Sequence, residues 1–237
     1  DELDATQSDA LSVTVTGEGA DIVDSESETI TVNSPEAAKG IQVAQDMVKS
    51  GAAVKPVAND PYGTMMTLFK EGKVGMIING PWEVNAISTD PNFGGFENLG
   101  VAPVPAGSQQ SGAHVGGHNY VIYEGMDDKK AEAAIAFVKF MSSAESEAFI
   151  ATKLGLLPTR QSAYDLPEVQ DNAKVAAFKA ALDSAVARPW IPEGGQFFGP
   201  LDEMATKVLI QGADPKKSLD AVAKTYKNEV VKDYSLN

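Results

Sequence analysis

The stretch 72–87, GKVGMIINGPWEVNAI, decides how this chain is read. An apolar run, Val74 to Ile78, is stopped by Asn79-Gly80-Pro81 and followed at once by Trp82. "VGMII" is almost continuously apolar, which predicts a strand covered on both faces. Gly80 lets the backbone turn sharply and Pro81 suits the first turn of a helix. An aromatic placed there projects at the C-terminal edge of a sheet, where open α/β sheets hold ligands. The competing reading is a helix-start tryptophan packed in the core.

Working outward, residues 11–33 predict two short strands around a Gly/acid-rich turn, with Val13 and Val15, then Ile30 and Val32, alternating with threonines or their neighbours. "SPEAAKGIQVAQDMVKSG" predicts a helix capped by Ser34 and closed by Gly51, with Ala37, Ile41, Ala44 and Val48 inward. "DPYGTMMTLFKEGK" predicts a second helix, with Met65, Met66 and Phe69 on its inner side. "LGVAPVPAG" and "YVIY" predict further strands, separated by the polar, Gly-rich crossing "SQQSGAHVGGHN". From residue 128 the chain is nearly all helical, with "PEVQDNAKVAAFKAALDSA" predicting a single helix. The helix pair at 128–153 puts Ala133, Phe137 and Phe140 or Met141 on one face.

The totals narrow the function. The 237 residues are 43% hydrophobic and 22% charged, enough for a substantial core. Net charge is -14, and the first 36 residues carry ten acids and no base, so nucleic acid and anionic membranes are excluded as partners. With no cysteine and two histidines, thiol chemistry, Cys-based zinc sites and multi-His metal sites fall away, and no cofactor is expected. No apolar run reaches the roughly 18 residues of a membrane span. The polar, acidic start "DELDATQSDALS" does not read as a signal peptide.

No nucleophile elbow, phosphate loop or H-E-x-x-H motif is present, so the chain does not read as an enzyme. Glu83 and Glu193 beside the two tryptophans leave a glycosidase pair as the rival reading. Trp82 and Trp190 are the only tryptophans, and both stand at chain breaks beside proline, in "NGPW" and "ARPWIPEGGQFF".

"LFKEGKVGMIINGPW", "LGVAPVPAG", "GGHNYVIY" and "AIAFVKFMSSAESEAFIATKLGLLPTR" follow one another in the order seen in extracellular sugar-binding proteins of ABC importers. The chain resembles the maltose-binding-protein-like class from about Thr29 to its C-terminus. That family has two α/β lobes of periplasmic-binding-protein type II with the ligand between them. The segment that builds most of the first lobe is long in the family; here 29 residues precede the match. The resemblance therefore implies a C-terminal lobe in two parts, 1–105 and 161–237, with 106–160 as a crossing and partial N-terminal-lobe helix pair. It implies an extracellular, lipoprotein or periplasmic setting and ABC permease subunits as partners.

The resemblance also implies a site. Trp82 stands where the family stacks an aromatic on a sugar ring, and Glu83 and Asn85, a helix turn away, could reach hydroxyls. Phe197 and Phe198 match a segment that carries a second aromatic, against a core role. Gly116 and Gly117 are hinge candidates, followed by His118 and Asn119 as ligand or interlobe contacts. Arg188 and Trp190 lie in the return crossing; for Arg188 the alternative is a carboxylate partner. A chain lacking a lobe would leave an apolar face open, which implies self-association or a companion polypeptide. An interaction module without ligand is the third reading.

Overall fold

The computed structural model describes residues 13–236. They build two cores of unequal size, joined by a pair of short crossing strands.

The larger core uses both ends of the chain. A hairpin, β1 (Val23–Asp24) and β2 (Thr29–Ile30), turns through Glu28 at φ 50°. Helix α1 (Pro35–Ser50) follows, capped as its sequence predicts: the Ser34 hydroxyl accepts from Ala37 N–H at 3.1 Å, and Gly51 closes it in the left-handed region. Its buried side is Ala37, Gly40, Ile41 and Gln45. Gly40 is required there, because a β-carbon would come within 2.5 Å of the Thr14 carbonyl. Against α1 pack α9 (Pro215–Thr225) and the wide turn Thr206–Ile210 that ends α8 (Phe198–Ala205); α8 packs on α9, which ends in a wide turn of its own, Tyr226–Val230. Buried Gln45 satisfies the loosened end of α8, donating to the carbonyls of Val208 at 3.0 Å and Ala213 at 2.8 Å. Ile30, Ile41, Phe197, Val208, Leu219 and Tyr226 are the centre of this core. Burial of each such side chain stabilises by about 1.5–3 kcal/mol. The chain closes with β5 (Ser235–Leu236), parallel to β2.

The smaller core is Ala148, Ala151, Val169 and Val175. It forms where α5 (Ala144–Leu154) meets α6 (Pro167–Gln170), close to α7 (Ala173–Asp183). Glu147 of α5 ties the following loop down. Its carboxylate accepts from Thr159 N–H at 2.6 Å, Arg160 N–H at 2.7 Å and the Thr159 hydroxyl at 2.8 Å. Helix α4 (Asp128–Met141) has no buried residue; Phe137 and Phe140 stand open to solvent.

Between the cores, β3 (Ala113–Val115) pairs in parallel with β4 (Ala185–Ala187). The crossing that holds β3 thus runs beside 185–187, just ahead of Arg188 where the return crossing was expected. The return to the large core comes at β4, which corrects the boundary expected at 160/161: Val169 and Val175 pack with Ala148 and Ala151, so 161–183 stays with the helix pair.

Three more expectations are corrected. Residues 13–17 are helical, where alternating Val and Thr predicted a strand. That turn is held by its surroundings: Gly17 and Gly107 touch through the main chain, and the Gly17 carbonyl accepts from Gln109 and Gln110 N–H at 3.1 and 3.2 Å. The Glu18 carboxylate, bound by Lys39 and Ser108, fastens the same seam. "PEVQDNAKVAAFKAALDSA" is two helices rather than one, because the Asn172 side chain caps α7. "VGMII", "VAPVP" and "YVIY" form no ladder among the described residues, and Met76 and Val121 are 88% and 87% exposed. A strand needs a neighbour to take its N–H and C=O groups, and no described segment offers one.

Candidate functional site

Helix α2 (Pro61–Lys70) begins at Asp60, whose side chain accepts from Gly63 N–H at 3.0 Å. It presents Tyr62 in its first turn. Further along, Asn79-Gly80-Pro81 breaks the chain: the Asn79 side chain accepts from Gly80 N–H at 2.8 Å. A single tight turn, Pro81–Glu83, leads into α3 (Val84–Ser88), whose Val84 and Ile87 are buried. Trp82 lies on the outer side of that turn, 55% exposed. Its indole folds back over Gly80, where any β-carbon would collide with three ring carbons.

The polar edge of this cluster is shared out within the protein. Trp82 Nε1–H donates to the Tyr62 hydroxyl at 3.1 Å, and that hydroxyl donates to Glu83 Oε1. Burial, and then the bond to Glu83, raises the Tyr62 pKa, so the hydroxyl keeps its proton at neutral pH. Tyr62 was not singled out from sequence; "DPY" at a helix start carries no signal of contact with a residue twenty positions away. Asn85 is engaged at both ends of its amide, donating to the Lys153 carbonyl at 3.0 Å and accepting from Lys174 Nζ at 2.5 Å. It therefore bridges α3, α5 and α7.

A second group forms at the crossing strands. Arg188, directly after β4, lays its guanidinium 5.0 Å from the Phe198 ring centroid and faces Gly116 across the ladder. Arg188 and Trp190 also line a cavity of about 570 Å³ with Asp21, Asp24, Glu26 and Glu36. Trp190 is 89% exposed. Burial raises the Asp21 pKa, while hydrogen bonds from the Ser27 side chain and the loop backbone lower that of Asp24. His118 and Asn119 lie on the exposed loop after Gly116-Gly117.

Phe197 is the correction among the candidates. It is 2% exposed, sits edge-on to Tyr226 at 4.8 Å between centroids, and its carbonyl accepts from the Tyr226 hydroxyl at 2.8 Å. A ring so enclosed cannot meet a ligand. The half-exposed Phe198 beside Arg188 keeps that opportunity.

The chain is similar to known proteins. Residues 4–177 match a family described as bacterial extracellular solute-binding protein. The chain is 27% identical over 178 residues to a maltotriose-binding protein of Pyrococcus abyssi, covering 73% of this chain and 37% of that one. It is 25% identical over 209 residues to a galactooligosaccharide-binding protein of Bacillus subtilis, covering 87% and 48%. Among solved structures, the GacH receptor of Streptomyces glaucescens, determined unliganded and with acarbose, superposes at a TM-score of 0.88 with 40% identity. That match covers 95% of this chain and 57% of the receptor. The chain thus spans about half the length of the relatives it matches.

Proposed function

We propose that this chain, which belongs to the bacterial extracellular solute-binding proteins, serves as part of an oligosaccharide-binding protein that feeds an ABC importer. The observation that carries this reading is the open indole face of Trp82, seated on Gly80 and edged by Tyr62 and Glu83. A flat apolar face suits the C–H side of a pyranose, and carboxylate or hydroxyl groups at its edge suit the sugar's hydroxyls. The names of the relatives point to the same class: maltotriose, galactooligosaccharide and acarbose share linked pyranose-like rings.

In the whole protein the sugar sits between two lobes, and contacts to both stabilise closure about the paired crossings β3 and β4. Gly116 and Gly117 lie at the end of β3, where such closure bends the chain. Arg188, Phe198 and Trp190 supply the contacts on the crossing side, with His118 and Asn119 beside them. The closed form docks on the permease subunits at the cell surface. This chain alone, offering one side of the cleft, binds sugar weakly.

Calorimetry with maltotriose, a galactooligosaccharide and acarbose tests the reading, using a polypeptide that carries both lobes and this chain in parallel. Saturable binding without release of shorter sugars supports it. Hydrolysis of the panel would instead make Glu83 a catalytic candidate, and no binding by either polypeptide would leave an interaction module.

A further inference from the structure

We infer that Tyr62 is a positioning residue, whose hydroxyl fixes the Trp82 indole and the Glu83 carboxylate as one preformed platform. The ligand it serves rests on the oligosaccharide reading above; the clamp itself rests on three hydrogen-bonding groups alone. Tyr62 reaches Trp82 from another helix, so the bond couples α2 to the turn at 81–83. One hydroxyl does two jobs: it accepts the indole N–H and donates to Glu83 Oε1.

Two consequences follow for recognition. The indole N–H is already used within the protein, so Trp82 meets a sugar through its ring face and gives no hydrogen bond to a hydroxyl. Glu83 is held by one oxygen, and among the described residues Oε2 takes no hydrogen bond from protein, which leaves it to accept from the ligand. Gly80 closes the arrangement from below, because the ring can lie flat only where no side chain intervenes. A half-exposed tryptophan on a one-turn helix would otherwise lose rotamer freedom on binding; the clamp removes that loss beforehand.

The test uses the full chain in a Trp190→Phe background, where Trp82 is the sole tryptophan. Tyr62→Phe keeps the ring and removes both hydrogen bonds. Expected without sugar are a lower Trp82 fluorescence anisotropy and stronger quenching by acrylamide, with the urea midpoint held. In a polypeptide carrying both lobes, with Trp190 intact, Tyr62→Phe is expected to lower the affinity for maltotriose about three- to tenfold. Trp82→Phe, which removes the N–H from the other side, should abolish most of the further loss caused by Tyr62→Phe. Unchanged anisotropy and quenching in Tyr62→Phe would overturn the clamp, whatever the sugar result. If a polypeptide carrying both lobes, with Trp190 intact, shows no maltotriose binding while quenching responds as expected, the clamp stands and the sugar reading fails. Should Tyr62→Phe fold poorly, the anisotropy of Trp82 in Glu83→Gln decides: the amide oxygen still accepts from Tyr62, so a freed indole would overturn the proposal.

Discussion

The Trp82 ring occupies the place that a β-carbon on Gly80 would take. Gly80 has φ -118°, an ordinary value for any residue, so alanine there meets no backbone penalty. The conflict falls on the indole alone. Gly80→Ala is therefore expected to move the ring, change the near-UV circular dichroism and weaken sugar binding. Stability should stay within about 0.5 kcal/mol, as for other surface substitutions. An unaltered near-UV spectrum would show that the ring does not rest there.

Trp82→Ala tests the platform directly. In a polypeptide carrying both lobes it is expected to weaken sugar binding by about 1–3 kcal/mol, the scale of losing one large contact. The thermal midpoint without ligand should hardly move, since the ring is more than half exposed. Unfolding of this variant would reassign Trp82 to the core.

Glu147 makes a different kind of prediction. Its carboxylate collects two backbone N–H groups and one hydroxyl from Thr159 and Arg160. Glu147→Ala should destabilise the helix pair by about 2–3 kcal/mol, the cost of stranding part-buried donors that bonded a charge. Hydrogen exchange at the amides of 159 and 160 checks it, and wild-type protection there would contradict it. Glu147→Gln, which keeps an acceptor oxygen, should lose less.

The seam at Glu18 sets an expectation for acid. Lys39 at 2.5 Å, then Ser108, holds its carboxyl below the usual range. A group whose folded pKa is depressed contributes stability in full above its unfolded value, about 4.3, and loses it as pH falls through the folded value. Glu18→Gln should therefore be less stable than wild type at pH 7, with the gap closing below about pH 4. Asp21 acts with the opposite sign, because burial raises its pKa and its penalty fades on protonation. Urea midpoints from pH 7 to pH 3 measure both; a gap that persists at pH 3 would remove Glu18 from the account.

The open helix α4 carries a prediction about association. Phe137, Phe140 and Phe149 are each more than half exposed, and Val121 and Tyr123 lie bare in the segment before α4. Such a surface is uncommon on a stable monomer. Light scattering of the isolated chain is expected to show self-association, relieved by a companion polypeptide that supplies covering strands. A monomer that persists on dilution and melts cooperatively would contradict this.

Helix positions were the most legible part of the sequence. Ser34, Asp60, Asp127, Ser143 and Asp214 each cap a helix with their own side chain, so the signal and its effect lie within three residues, whereas the Asn172 cap that divides α6 from α7 sits inside an unbroken helical pattern. Strands were less legible, because "VGMII" and "YVIY" carry strand composition while a ladder depends on a partner elsewhere. The exposed place of Trp82 on the turn after Gly80 follows from "NGPW", and Arg188 stands directly after β4. Tyr62 was not legible, since its bond to Trp82 is set by how α2 and the 81–83 turn meet. Phe197 and Phe198 are adjacent in sequence and opposite in fate; only the packing of Tyr226 distinguishes them.

The pairing of Thr29 with Ser235 has a kinetic meaning. The large core draws on residues 22–41 and 197–231, so its halves are separated by most of the chain. During synthesis the hairpin and α1 leave the ribosome long before the helices of 198–231 that complete their core. Contacts of such sequence separation slow folding, because a long loop must close first. The early-made half must wait, soluble and uncommitted, and its ten acids without a base in the first 36 residues keep nascent copies apart. A chain that stopped before Tyr226 would lose both Tyr226 and Val231 from the core that the early-made half depends on.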